Sequence, residues 1–161
     1  SPDWSPDGQR LAFVLDIVAK ANNKDIYIAN ADGSNMVQLT SHEADDRAPD
    51  WSPDGTKIVF ESRRDGNWEL FTMNADGSNI QNISNSPDRE HRAAWSPDGT
   101  RIAFQSDRDG NWEIYVCNAD GSGQKNLTNH TGWDIYPRWT PDGKIIFFSG
   151  LKSIAQDDGW R

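Results

Sequence analysis

The sequence predicts an all-β chain of β-propeller blades, each a four-stranded antiparallel sheet, and three observations carry that expectation. The string WSPDG stands at 4–8, 51–55 and 95–99, with WTPDG at 139–143, so the tryptophans lie 47, 44 and 44 residues apart. A second string, NADGS, begins at Asn30, Asn74 and Asn118, again at 44-residue intervals. Between these markers lie strand-length runs rich in β-branched and aromatic residues, with no helical period. Four strands in about 44 residues, repeated, is the arithmetic of a propeller blade. The alternatives are a β-solenoid, whose coils are usually shorter, and an open sandwich of hairpins, whose turns do not repeat so faithfully.

Within a repeat the elements follow in a fixed order. A segment ending at the tryptophan (APDW at 48–51) leads to KIVFES at 57–62, WELFTMN at 68–74 and NIQNIS at 79–84; RIAFQS and WEIYVCN match the second and third one repeat later. Ser-Pro-Asp-Gly suits a type I turn, with Pro fixing φ at the second position. Asp-Gly in RDGN and in NADGS supplies the positive φ that tight hairpins need. The first repeat is three residues longer, and the markers place the insertion around 16–24, at the hairpin tip where other repeats have RDGN. Loops accept such insertions because closure entropy grows slowly with length.

Composition narrows the function classes. At 161 residues the chain is long enough for one domain, and its 35% hydrophobic content leans on 8 Trp, 6 Phe and 3 Tyr, so aromatic rings must do much of the packing. A net charge of −9 repels nucleic acid and anionic membrane surfaces, so neither is an expected partner. Cys117 is the only cysteine, which rules out a disulfide within the chain and suits either redox compartment. No apolar run approaches a membrane span, and no leader pattern opens the sequence.

The pattern PxWSPDGxxIxF, then SxRDGNxxIY, then NADGS, then a strand ending in LT, resembles the WD-repeat-like blades of TolB-type propellers. It is similar, too, to the propeller domains of some prolyl-oligopeptidase-class peptidases. The resemblance covers residues 1 to about 149 and departs at Ala93, where other repeats have Pro2, Pro49 and Pro137, and at one residue fewer after Gly143. It implies that the segment ending at the tryptophan is the innermost strand, beside a central channel, and that the strand ending in LT is outermost. The expected organisation is a single partial propeller over 1–161. Its blades fall at about 1–47, 48–91 and 92–135, with the inner strands of a fourth in 136–161. Closed propellers have about four to eight blades, so the chain is expected to be part of a longer propeller or to associate with copies of itself.

Five residues before the tryptophan stand Asp46, Glu90 and Asp134. The resemblance places that loop at the channel mouth, where three carboxylates could converge on Ca²⁺, a cation that takes six to eight oxygen ligands. The alternative is that each accepts backbone N–H bonds in its own loop. His42 and His130 share a position, with Ser86 between them, and His91 stands where other repeats have Arg47 and Ile135. Imidazoles near one face suit a transition metal or acid–base work, yet the repeat does not hold them at one position, which favours variable polar loop residues. Where repeats differ, ligand specificity lives, because loops carry function on a fixed scaffold. The expected contacts are therefore Arg47, His91, Trp133 and Tyr136, with His42 and His130.

Asp107, Asp109 and Asn111 alternate as in a calcium loop but lack its glycine and glutamate spacing, so a hairpin tip is expected. Trp68 and Trp112 are expected to be partly buried on a blade face. No GxSxG, HExxH, CxxC or Gly-rich phosphate loop appears. The favoured function is a non-catalytic module for protein or peptide binding, periplasmic or extracellular as the resemblance implies. The alternatives are an accessory propeller of a serine peptidase, a metal-dependent propeller lyase, and a structural subunit that self-associates through open blade ends.

Overall fold

The computed structural model of the protein describes residues 2–16 and 23–150. Its strands are β1 (Asp3–Trp4), β2 (Arg10–Asp16), β3 (Lys24–Asn30), β4 (Val37–Gln38), β5 (Asp46–Trp51), β6 (Lys57–Ser62), β7 (Glu69–Asn74) and β8 (Gln81–Asn82), followed by β9 (Glu90–Trp95), β10 (Arg101–Ser106), β11 (Glu113–Asn118), β12 (Lys125–Asn126), β13 (Trp133–Trp139) and β14 (Ile145–Gly150). They form three four-stranded antiparallel meanders, β1 to β4, β5 to β8 and β9 to β12, and one pair, β13 with β14. No described residue is helical. The tail beyond 150, assigned above to the fourth blade, lies outside the described residues.

The turns do what their residues dictate. Gly8, Gly55 and Gly99 each donate their N–H to the carbonyl of the serine three residues back, at 2.8 to 2.9 Å, while that serine's hydroxyl bonds the intervening aspartate. These contacts hold the carboxyls of Asp7, Asp54 and Asp98 below the ordinary aspartate range. Each turn sets the register of the pair it joins, so the tryptophans take matching places: Trp4 faces Leu11, Trp51 faces Ile58, Trp95 faces Ile102 and Trp139 faces Ile145. β2 and β3 are paired out to Asp16 and Lys24, and residues 17–22, where the expected insertion falls, lie outside the described residues.

The core lies between successive sheets. Ala12, Ile26 and Ile28 of the first blade pack with Trp51, Ile58, Phe60, Phe71 and Met73 of the second. Val59, Leu70 and Ile83 of the second pack with Trp95, Ile102, Phe104 and Tyr115 of the third. Fully burying a side chain such as Phe60 or Phe104 contributes about 2 to 3 kcal/mol. Aromatic pairs within blades add to this, Phe60 on Phe71 at 5.8 Å and Phe104 on Tyr115 at 5.7 Å between centroids. A cation caps two of the junction tryptophans, Arg10 over Trp51 at 4.7 Å and Arg101 over Trp139 at 4.8 Å. Trp51 and Trp95 are 5% and 8% exposed; Trp4, with no described blade before it, is 53% exposed.

The innermost strands begin at Asp46, Glu90 and Trp133. Each carries a bulge. In β5, β9 and β13 two residues stand opposite one on the partner strand, between Arg47 and Asp50, between His91 and Ala94, and between Ile135 and Arg138.

Candidate functional site

Each bulge turns on one residue in left-handed backbone: Ala48 at φ 52°, Arg92 at 58° and Tyr136 at 57°. None is glycine, so each costs about 1 to 2 kcal/mol against a relaxed strand. The second strand of one blade pins the bulge of the next. Glu61 Oε1 accepts the N–H of Arg92 at 2.8 Å, and Gln105 Oε1 accepts that of Tyr136 at 3.2 Å. Bulges beside functional sites commonly re-aim side chains in this way.

The re-aimed residues surround a cavity of about 330 Å³, lined by Arg47 and Ala48, by Glu61, by His91 and Arg92, and by Gln105 and Tyr136. Three innermost strands thus converge on one space at the end remote from the junction tryptophans Trp51, Trp95 and Trp139. Arg47 Nε and His91 Nδ1 both lie 2.9 Å from Glu61 Oε2. Burial pushes the Glu61 carboxyl up, but His91, the Arg92 N–H and Arg47 outweigh it and hold it below the ordinary range. The Arg47 guanidinium lies 3.5 Å from the Trp68 ring centroid, and the His91 ring stands between Trp68 and Trp112 at 5.8 and 5.5 Å. Arg92 lies over Tyr136 at 4.9 Å. Tyr136 itself is 42% exposed, so a ligand reaching the cavity meets its ring.

Of the six expected contacts, the structure brings Arg47, His91 and Tyr136 together here and leaves three outside. Trp133 is exposed at the start of β13, away from the cavity. His42 and His130 are turn residues, Nδ1 of each accepting the N–H two residues on, from Ala44 and Gly132, at 3.0 Å. Ser86 does the same work in the second blade, its hydroxyl accepting the Asp88 N–H at 3.2 Å. A side-chain acceptor is what that position requires, which is why histidine and serine interchange there.

Asp46, Glu90 and Asp134 do not converge, contrary to the calcium expectation. All three are 0% exposed, each inside its own blade. Arg64 reaches both oxygens of Asp46 at 3.0 and 3.1 Å; Arg108 and the Ser106 hydroxyl hold Glu90 Oε1 at 3.1 and 2.9 Å. His130 Nε2 stands 2.8 Å from Asp134 Oδ2, an ion-pair contact without good hydrogen-bond alignment. Two of the acids are thus neutralised by the arginine of the RDGN tip, and the third has an imidazole alone. Among the described residues no group of three or more His, Cys, Asp or Glu is arranged to hold a metal ion. Asp107 accepts the Gly110 N–H at 2.9 Å, closing the turn as a hairpin tip does.

A second cavity of about 290 Å³ opens at the tryptophan end, where Asp3, Asp50 and Arg138 stand among the four junction tryptophans. Asp3 accepts the Trp51 N–H at 2.7 Å, and Asp50 that of Trp95 at 3.1 Å. Burial pushes the Cys117 thiol up to about 12, so it is a packing residue.

Glu61, Gln105, Arg92, Trp68 and Trp112 complete the candidate site without having been among the expected contacts. A signal for the first two was present: polar residues directly after the buried apolar runs Ile58–Phe60 and Ile102–Phe104.

Residues 1–94 and 81–154 match the TolB β-propeller domain family. TolB from Agrobacterium tumefaciens has a similar structure, with 25% identity and a TM-score of 0.83 over 96% of this chain and 55% of that one. TolB from Acinetobacter baumannii is similar at 27% identity and a TM-score of 0.82, over 95% of this chain and 38% of that one. A puromycin hydrolase shares the fold at 18% identity and a TM-score of 0.78, over 93% of this chain and 27% of that one. The chain spans about half the length of the first of these proteins and less of the others. No curated protein matches it in sequence.

Proposed function

The chain belongs to the TolB β-propeller domain family, and from that membership we propose that it is a non-catalytic binding module whose ligand, a protein or peptide, docks at the mouth formed by Arg47, His91, Arg92 and Tyr136. One observation carries the reading. On a scaffold whose turns repeat almost without change, the three described residues other than glycine and asparagine in left-handed backbone sit at one cavity, and there the repeats differ: Ala48, Arg92 and Tyr136 at one position, Arg47, His91 and Ile135 beside it. Strain held at matching places and spent on presenting dissimilar side chains supports recognition rather than packing. Glu61, the acid of the lining, already accepts from three donors, which disfavours a role as a catalytic base.

The test is selection of displayed peptides on the immobilised chain, followed by affinity measurement against the His91→Ala and Tyr136→Ala variants. Enriched peptides that bind these variants at least about tenfold more weakly support the reading, a loss of about 1.4 kcal/mol. Enriched peptides indifferent to both changes would overturn it.

The exposed Trp4 supports a second partner, a further blade of this repeat type covering the open face, from a copy of the chain or from a longer propeller. Light scattering across a range of concentration tests self-association, and a monomer throughout would remove the copy. The family resemblance supports a periplasmic or extracellular setting, and among the described residues no helix is long and apolar enough to cross a membrane. The accessory-peptidase alternative has only the shared fold of the puromycin hydrolase in its favour.

A further inference from the structure

We propose that the group this mouth binds is a carboxylate of the ligand, an inference that rests on the docking reading above and narrows the ligand to acidic peptides or peptide C-termini. Two neighbouring blade junctions make the case. Between the second and third blades, the Glu61 carboxylate meets Arg47 Nε at 2.9 Å, His91 Nδ1 at 2.9 Å and the Arg92 N–H at 2.8 Å. Between the third and fourth, the equivalent residue is Gln105, whose Oε1 accepts the Tyr136 N–H at 3.2 Å and which brings no charge.

The acid is lost at the second junction, where His91 and Arg92 stand at the places that Arg47 and Ala48 hold at the first. Arg92 is exposed over the Tyr136 ring, and among the described residues no carboxylate lies within ion-pair distance of its guanidinium. Glu61 turns its Oε2 to Arg47 and His91 and its Oε1 to the Arg92 main-chain N–H, not to the Arg92 guanidinium. The mouth therefore carries Arg47 and Arg92 against a single committed acid, in a chain whose overall charge is −9. A surplus cation in a partly enclosed space attracts an anion more strongly there than at an open surface. Planar guanidinium favours a carboxylate, which it grips through paired N–H donors. With His91 neutral the lining carries one surplus positive charge, which matches a carboxylate, whereas a phosphate dianion exceeds it, and the acidic remainder of the chain repels the excess.

The experiment is an NMR titration of the ¹⁵N-labelled chain, following the Arg Nε–H and Trp indole signals. The probes are acetyl-Gly-Ala-Glu-Ala-Gly-amide, with a side-chain carboxylate alone; acetyl-penta-alanine with a free C-terminus, with a terminal carboxylate alone; the glutamine analogue of the first, which is neutral; and inorganic phosphate. Saturable shifts with either carboxylate peptide, at least about tenfold tighter than with the neutral one, support the proposal. Which of the two binds more tightly identifies the source of the group. Arg92→Gln must weaken the better peptide by a similar factor. Gln105→Glu, which supplies a built-in carboxylate, must do the same while the spectrum stays dispersed. Equal affinity for the neutral peptide overturns the carboxylate while leaving docking at the mouth in place. Phosphate binding as tightly as the better peptide overturns the choice of carboxylate, and no saturable shift with either carboxylate peptide overturns the proposal outright.

Discussion

Glu61 of the second blade holds the main chain of Arg92 in the third, its Oε1 accepting the Arg92 N–H at 2.8 Å across the blade junction. That bond fixes a bulge at which Arg92 sits at φ 58°, so a side chain of one sheet sets the backbone of the next. The same carboxylate collects Arg47 and His91, and it therefore couples the geometry of the mouth to the stability of the wheel.

Replacing Glu61 by glutamine should destabilise the chain by about 1 to 3 kcal/mol near neutral pH, the cost of weakening a buried charge-assisted network. The folded carboxyl titrates below the ordinary 4.5, so its contribution is present above that value and is lost as pH falls through the folded one. Urea unfolding from pH 3 to 7 should show a shallower acid loss in Glu61→Gln than in the parent chain.

Asp50 behaves in the opposite sense. Burial pushes its carboxyl up to about 7, against the Trp95 N–H that it accepts. A folded value above the ordinary 3.8 means that stability is full below that value and declines as pH rises towards 7. Asp50→Asn keeps an acceptor for Trp95 and removes the titration. It should match the parent chain near pH 4 and exceed it by about 1 to 3 kcal/mol at pH 8, a range discounted for partial exposure. Thermal melts at the two pH values check this.

Arg64→Ala strands Asp46, which is 0% exposed and takes both its charge-bearing contacts from that guanidinium. Removing one partner of a buried pair costs about 3 to 5 kcal/mol, and Asp46→Asn in the same chain should recover part of it by removing the stranded charge. A double-mutant cycle by chemical denaturation measures the coupling.

Gly121 and Gly33 occupy the same place in the NADGS turn, at φ +85° and +81°, yet they should respond differently to alanine. A Cβ at Gly121 would lie 2.5 Å from the Ile83 carbonyl oxygen of the preceding blade, whereas at Gly33 it meets nothing within 4 Å. Gly33→Ala should cost about 1 to 2 kcal/mol from backbone conformation alone. Gly121→Ala adds a clash with main chain and should cost more, as a comparison of melting curves would show.

The blades were legible in the sequence because turn chemistry is local: WSPDG and NADGS specify their turns wherever they stand, and equal spacing then forces the tryptophans into equal places. The mouth was legible only in part. Arg47, His91 and Tyr136 stood out by differing between repeats, but Glu61 and Gln105 act on the blade after their own, through bonds that no spacing within a repeat reveals. The acids misled for a related reason. Their recurrence suggested a ring of ligands or carboxylates bonded to the backbone of their own loops, whereas Arg64 and Arg108 reach Asp46 and Glu90 from the RDGN tips, a pairing that the spacing of the acids alone does not reveal.

The most direct test of the account is where a bound peptide sits. With a peptide obtained by selection, the indole N–H signals of Trp68 and Trp112, which flank His91, should shift on binding, while those of Trp51 and Trp139 at the far end stay still. Shifts confined to Trp51 and Trp139, with Trp68 and Trp112 unmoved, would contradict it.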